Sequence, residues 1–167
     1  MKTGCEYRIR PFVDADHSWA AALLTEYWGS CVIATRGRLV DAMSLPALVA
    51  VDGGGDESVG LVTYEMRSDE CEIVTLNSLR PREGIGRALL TAVMGRAREA
   101  GASRVWLITT NDNVPAIRFY QGAGFRIVAI HRDAVTAARR LKPEIPLFGE
   151  GGTPIKDEIE LELKVGL

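Results

Sequence analysis

The sequence has few residues that could build a disulfide framework or a metal centre. Its three cysteines, Cys5, Cys31 and Cys71, are odd in number and far apart, and its two histidines are His17 and His131. No C-x-x-C pair is present. These absences argue against a disulfide-stapled or zinc-binding protein, because disulfides need paired cysteines and a zinc site needs clustered Cys or His ligands. We therefore predict no metal site and, since free thiols are typical of a reducing compartment, a cytoplasmic location.

Long hydrophobic runs and an excess of positive charge are also missing. No apolar run approaches the roughly 20 residues that a transmembrane helix needs. The first ten residues, MKTGCEYRIR, lack the apolar core of a signal peptide. The formal net charge of -2 gives no reason to expect a nucleic-acid partner. The sequence therefore predicts no membrane and no nucleic-acid partner.

The residues that are present favour one globular domain with alternating strands and helices. At 167 residues and 47% hydrophobic content, the chain can bury a sizeable core. Alternating or apolar segments predict strands over 7–12, 47–51, 58–66, 72–76, 104–110, 125–131 and 157–165. Helical spacing predicts helices near 16–28, 85–100, 115–123 and 133–141. Residues 30–46 are ambiguous, and Thr35 to Arg38 is interpreted as a loop before a short helix. The strand–helix–strand segment across 72–110 requires a parallel pair, whereas the earlier hairpin is antiparallel, so we predict a mixed α/β sheet.

The most informative stretch runs from Glu72 to Arg98 and combines a strand, a glycine turn and an amphipathic helix. Gly84 and Gly86 lie where the helix begins. The first N–H groups of a helix have no intrahelical partner, and glycine lets a ligand approach them, so such a turn can hold a phosphate. Arg80, Arg82 and Arg87 add positive charge nearby. A helix cap with surface arginines explains the same residues, and the pattern leaves both interpretations open.

The spacing fits neither common nucleotide motif. A P-loop needs Gly-Lys-Ser/Thr, but Arg87 and Ala88 follow Gly86, and a dinucleotide motif needs a third glycine where Leu89 stands. The segment Pro81-Arg82-Glu83-Gly84-Ile85-Gly86 instead resembles the acyl-CoA loop [QR]-x-x-G-x-[GA] of the GNAT superfamily of N-acetyltransferases. Pro81 departs from the usual Gln or Arg at the first position. The backbone of residues 82–87 is unaffected by that departure.

A second segment carries the same resemblance. The residues Asn113, Ala116, Phe119, Tyr120, Gly124 and Phe125 match the GNAT pattern N-x-x-A-x-x-[FL]-Y-x-x-x-G-F. The resemblance implies an acetyl-CoA-dependent GNAT-like fold, with a central mixed sheet of about six or seven strands flanked by helices. It also implies a single domain over 1–167, with a cofactor-binding core at about 72–131. The acceptor side falls at about 14–46, and an insert with the last strand covers 133–167.

The resemblance further assigns roles to individual residues. The strand backbone at Val74, Thr75 and Leu76 is implied to hold the pantetheine arm, with the Leu76 N–H as oxyanion donor. The implied diphosphate contacts are Arg82, Glu83, Gly84, Ile85, Gly86 and Arg87. Asn113 is implied to contact the cofactor, although an N-cap role explains it equally well. Tyr120 occupies the general-acid position and is also counted among the cofactor contacts, whereas packing on the helix face is the alternative.

The amine nucleophile needs a base, and the first candidates are two carboxylates of the strand before the glycine turn. Glu70 and Glu72 share one strand face, and Glu72 lies among apolar neighbours that would raise its pKa. We predict Glu72 as general base, with a surface carboxylate at a strand start as the alternative; His17 and His131 are weaker candidates. The acidic residues of the last strand could favour a cationic acceptor or form a solvated face.

The expected partner is therefore a small-molecule or peptide amine, and a homodimer stays open. A non-catalytic acyl-CoA-binding or sensing module of the same fold is the alternative function.

Overall fold

The computed structural model describes residues 6–166, so Cys5 lies outside the described residues. Within them the strands are β1 (Tyr7–Pro11), β2 (Val32–Thr35), β3 (Arg38–Asp41), β4 (Ala47–Asp52), β5 (Ser58–Arg67), β6 (Glu70–Ser78), β7 (Arg104–Thr110), β8 (Arg126–His131) and β9 (Glu158–Lys164). The helices are α1 (His17–Trp28), α2 (Ile85–Glu99), α3 (Val114–Gly122) and α4 (Ala134–Ala138). Short 3-10 turns cover Asp14–Asp16, Ala42–Ser44 and Glu150–Gly152.

Seven strands form one mixed sheet in the order β1-β4-β5-β6-β7-β9-β8, and β2 pairs with β3 in a separate hairpin. The β6–β7 pair is parallel and the other neighbours are antiparallel. This arrangement confirms the predicted mixed sheet. A helical crossover such as α2 is what a parallel neighbour requires, because a tight turn cannot return the chain in the same direction.

Both faces of the central sheet are covered by helices. The periodic apolar residues of α2, among them Leu89 and Val93, are fully buried against one face. Leu24 of α1 is fully buried against the other, together with Val49 and Leu61. Alternate residues of β4 and β5 therefore enter opposite cores, which explains why these strands are apolar throughout.

Two predicted segments differ from the structure. The loop predicted at Thr35 to Arg38 is the two-residue turn of the β2–β3 hairpin, where Arg36 and Gly37 have positive φ (45° and 77°), and the residues on either side of it form strands that were not predicted. The helix predicted over 133–141 is confined to α4, since the chain turns at Ala138, whose carbonyl accepts from both Leu141 and Lys142. None of the helices described between residues 6 and 166 is long and apolar enough to cross a membrane.

Candidate active site

The parallel pair β6–β7 separates part of the way along the sheet. Its register runs from Glu70 beside Arg104 to Ile73 beside Leu107 and then stops. Beyond that point β7 continues against β9, whereas β6 continues against β5. Residues 74–78 of β6 therefore have a backbone edge that no described strand covers.

The phase of the β5–β6 ladder decides which amides face that edge. The Leu79 N–H donates to the Val59 carbonyl at 2.9 Å, and Leu76 lies opposite Val62, three positions further along the ladder. Antiparallel pairs alternate between hydrogen-bonded and non-hydrogen-bonded, so Leu76 falls in a non-hydrogen-bonded pair. The backbone N–H of Leu76 accordingly points away from β5, towards the uncovered edge. The register shifts between Thr63 and Tyr64, which leaves Val74 as an extra residue in β6.

A cavity of about 550 Å³ lies where the two strands separate. Its floor includes Glu72, Ile73 and Val74 of β6, and β7 contributes residues 108–110. The C-terminal end of α1 and strand β2 form one wall. The segment between β8 and β9 forms the opposite wall. The uncovered strand edge and this cavity therefore belong to one site.

Glu72 is the buried carboxylate of the cavity floor, with 2% of the residue exposed. Its Oε1 accepts from the Thr35 hydroxyl at 2.7 Å, and its Oε2 accepts from Arg38 Nη2 at 2.9 Å. Arg38 also pairs with Glu65. Burial raises the pKa of Glu72, and the hydrogen bonds from Thr35 and Arg38 oppose that rise. The alternative of a surface carboxylate at this position was therefore wrong, and the β2–β3 hairpin supplies both partners.

The glycine turn before α2 presents a run of free backbone donors. Among the described residues, the backbone N–H groups of residues 82–87 have no backbone acceptor, and the first N–H of the helix to donate is that of Ala88, to the Gly84 carbonyl at 3.0 Å. Arg82 and Gly84 hold positive φ (65° and 83°), which turns the chain into the helix. Ile85 is fully buried beneath the turn. Such an arrangement of amides at a helix N-terminus suits an anion.

The arginines around this turn are not equivalent. Arg80 pairs with Asp52 and Glu57, both at 2.7 Å, so its charge is already neutralised. Arg87 donates to the Gly122 carbonyl at 3.2 Å, which ties the start of α2 to the end of α3. The side chain of Glu83 accepts a hydrogen bond from the Tyr7 hydroxyl.

Helix α3 and its N-cap contain the two remaining predicted residues, Tyr120 and Asn113. The Asn113 side chain accepts from the Ala116 N–H at 3.3 Å, which confirms its N-cap role, and Asn113 also lines the cavity. Tyr120 is 7% exposed and packs edge-on against Phe119 and Phe125. Among the described residues, those that line the cavity do not include Tyr120. Burial raises the pKa of the Tyr120 phenol above its ordinary value.

The carboxylates of β9 do not form a solvated face, contrary to that interpretation of the sequence. Glu158 and Glu162 are buried, and each pairs with an arginine. Arg36 contacts Glu158 at 3.1 Å, and Arg104 contacts Glu162 at 2.8 Å. The predicted solvated face was wrong because arginines from the β2–β3 hairpin and from β7 pair with the carboxylates of β9. Within the part of the chain that the structure describes, no group of three or more metal-ligating side chains is placed to hold an ion.

The family model described as Acetyltransferase (GNAT) family matches residues 12–125. The chain belongs to the GNAT acetyltransferase family. This GNAT acetyltransferase is 43% identical over 134 residues to the uncharacterised protein YdhI of Bacillus subtilis (strain 168), covering 80% of this chain and 83% of that protein.

Solved structures share the fold. The ribosomal-protein-S18-alanine N-acetyltransferase of Escherichia coli aligns with a TM-score of 0.69 at 17% identity, over 97% of this chain and 96% of that one. A Bacillus subtilis acetyltransferase in complex with CoA aligns with a TM-score of 0.65 at 21% identity, over 95% and 99% of the two chains. The predicted GNAT fold and transferase class are thereby confirmed.

In this GNAT acetyltransferase the structure brings some predicted residues together and adds others. Glu72, Val74 and Asn113 line one cavity. Thr35 and Arg38 were missed, although β-branched residues on both sides of Arg36-Gly37 are a hairpin signal that would have found them. Lys142, which also lines the cavity, has no signal in the local sequence.

Proposed function

We propose that the protein transfers the acetyl group of acetyl-CoA to the nitrogen of a primary amine, with both substrates bound together. The observation that carries the proposal is the meeting of a buried carboxylate, Glu72, with the uncovered edge of β6 in one cavity. Acetyl-CoA supplies the acetyl group as a thioester. The residues of the chain must then hold the thioester, free the amine of a proton and protonate the leaving thiolate.

Binding is assigned to backbone groups. The free N–H groups of residues 82–87 are suited to the diphosphate, and hydrogen bonds to charged groups contribute about 1.5–3 kcal/mol each. The edge of residues 74–76 is suited to the amide-rich pantetheine arm, which would pair with it as an added strand does. In that position the Leu76 N–H is the donor that faces the thioester carbonyl oxygen.

Activation of the amine is assigned to Glu72. An alkyl ammonium with a pKa of about 10.4 is neutral at pH 7 in roughly one molecule in 2,500, a handicap of about 4.6 kcal/mol. Burial raises the pKa of Glu72, which makes this carboxylate a stronger base than an exposed one. Thr35 and Arg38 each occupy one oxygen, and a carboxylate oxygen retains a second lone pair for the amine or for one bridging water.

Protonation of the leaving group is assigned to Tyr120. The amine nitrogen forms a bond to the carbonyl carbon, the carbon–sulfur bond breaks, and the electron pair of that bond remains on sulfur. The amine proton passes towards Glu72, and the thiolate receives a proton from the Tyr120 hydroxyl. A phenol is protonated at neutral pH, as a proton donor must be, and Tyr120 occupies the general-acid position of the GNAT pattern. Asn113 is proposed to contact the cofactor with the amide nitrogen that its capping role leaves free.

The test combines binding and turnover. Thermal unfolding is measured with acetyl-CoA, CoA and ATP, and release of the CoA thiol is then followed on a panel of small primary amines and short peptides with free N-termini. We expect stabilisation by acetyl-CoA and CoA, and thiol release with at least one amine. Stabilisation by CoA without release on any amine would favour an acyl-CoA-binding module instead. Stabilisation by ATP alone would contradict the assignment of the 82–87 turn.

A further inference from the structure

The segment between β8 and β9, residues 132–157, forms one whole wall of the cavity. Val135 and Ala138 contribute from α4, and Ile145, Pro146 and Ile155 contribute from the loop that follows. The facing wall comes from the end of α1 and from β2. Under the proposed function the pantetheine arm lies along the strand edge, so the acceptor amine must enter between these two walls.

The shape of this wall is fixed by one arginine. Arg139 Nε donates to the Ile145 carbonyl at 3.1 Å, and its Nη2 donates to the carbonyls of Pro146 and Ile155 at 2.6 and 2.5 Å. Loop carbonyls that would otherwise need water are thus satisfied by a single side chain. The wall is a defined surface rather than a loose connection.

Lys142 joins this wall to the facing one. The residue is 7% exposed, and its Nζ donates to the Trp28 carbonyl at 3.0 Å and to the Val32 carbonyl at 2.7 Å. Trp28 is the last residue of α1, so its carbonyl lies at the negative end of the helix, where a cation is favoured. Trp28 and Lys142 both line the cavity, and the contact between them therefore joins its two walls.

A bridge in this position restricts what can enter. An extended peptide acceptor needs a groove that is open between the two walls, whereas a small amine needs only room beside the thioester. The cavity of about 550 Å³ must hold the end of the pantetheine arm as well as the acceptor. We propose that Lys142 is a specificity-determining residue that closes the acceptor side of the cavity, so that small primary amines are acetylated in preference to peptide amines. This inference rests on the proposed function.

The test compares Lys142→Met with the wild type and with Lys156→Met. Methionine keeps the length of the side chain but cannot donate to either carbonyl, and Lys156 is an exposed lysine of the same segment. The acceptors are primary amines of increasing bulk, from propylamine to a hexapeptide with a free N-terminus. In Lys142→Met we expect KM for propylamine to rise about tenfold with kcat little changed. We expect the preference for propylamine over the hexapeptide to fall by a similar factor.

A second measurement does not depend on turnover. Hydrogen exchange of the amides in 28–33 and 139–147 should become faster in Lys142→Met and stay at the wild-type rate in Lys156→Met. Lys142→Arg, which keeps the cation and can donate to both carbonyls, should keep the slow exchange of the wild type. Should Lys142→Met fail to fold, as judged by thermal unfolding with acetyl-CoA, Lys142→Gln takes its place, because its amide carries no charge and its side chain is one atom shorter than that of lysine.

The outcomes separate the two ideas. Unchanged exchange together with an unchanged acceptor profile in Lys142→Met would overturn the role of Lys142 while leaving the transferase intact. A wild-type hexapeptide rate equal to that of propylamine would overturn the selection of small amines. Faster exchange in a protein that acetylates none of the amines would contradict the proposed function, and the closure by Lys142 would still be supported.

Discussion

Replacing Gly86 by alanine should weaken acetyl-CoA binding without unfolding the protein. Gly86 lies in the first turn of α2, among the amides assigned to the diphosphate, and its φ is not in the left-handed region. An alanine backbone therefore fits there. The added Cβ would lie 3.4 Å from Phe119 Cζ, a tight contact that a small ring shift can relieve. If the diphosphate binds at these amides as proposed, the same methyl group would crowd the oxygen that accepts from the Gly86 N–H.

The expected effects of this substitution on the free energy of unfolding and on the free energy of acetyl-CoA binding differ in sign and size. Alanine in place of glycine within a helix stabilises by about 0.5–1 kcal/mol, which the Phe119 contact partly offsets, so the free energy of unfolding should change by less than about 1 kcal/mol. Loss of one hydrogen bond to a charged phosphate removes about 1.5–3 kcal/mol of binding free energy. That loss corresponds to an increase of about 10- to 150-fold in the Kd for acetyl-CoA.

The matched control is Gly95→Ala on the same helix. Gly95 is also helical, and a Cβ there would have no neighbour within 4 Å. Calorimetric titration with acetyl-CoA and urea unfolding should show Gly95→Ala as stabilised with an unchanged Kd. If Gly86→Ala is folded and binds acetyl-CoA as tightly as the wild type does, the diphosphate does not lie at this turn and the assignment is wrong.

Three further predictions address the reaction and the packing beneath the site. Tyr120→Phe should retain its affinity for acetyl-CoA and lose about 10²–10⁴ in kcat, because only the proton donor is removed; an unchanged kcat would exclude Tyr120 as general acid. Burial raises the pKa of Glu72, and the base must be deprotonated, so kcat/KM should fall as the pH drops through a value above the ordinary glutamate pKa. Glu72→Gln should lower kcat/KM and abolish this acidic limb, and persistence of the limb in that variant would assign it to another group. Gly60→Ala would place a Cβ 2.7 Å from Ile85 Cγ2 and 2.9 Å from Leu89 Cδ1, and should lower the free energy of unfolding by about 1–3 kcal/mol. A urea midpoint equal to that of the wild type would contradict the tight packing of α2 on β5.

Much of the cofactor side could be predicted because its signals are local. The turn with Gly84 and Gly86 is defined within six residues, and the spacing from Asn113 to Phe125 is defined within one helix and its flanks. The apolar periodicity of α2 fixes which of its faces is buried. Short-range constraints of this kind are visible in a single sequence.

The acceptor side could not be predicted to the same extent, because its contacts join distant parts of the chain. Thr35 and Arg38 reach Glu72 across more than thirty residues, and Lys142 reaches Trp28 across more than a hundred. The buried Glu158 likewise pairs with Arg36, which lies in a hairpin that was not predicted. Such pairings follow from topology, which propensity and periodicity do not specify.

The parting of β6 from β7 also bears on how long the protein survives in a cell. Backbone groups of β6 are left unpaired in the middle of the sheet and not on an edge strand. An extended ligand can pair with them as an added strand does. By mass action, a ligand at 100 times its Kd adds about 2.7 kcal/mol to the stability of the folded state. We therefore expect the protein to resist proteolysis more strongly as the acetyl-CoA concentration rises, and to be degraded fastest when acetyl-CoA is scarce.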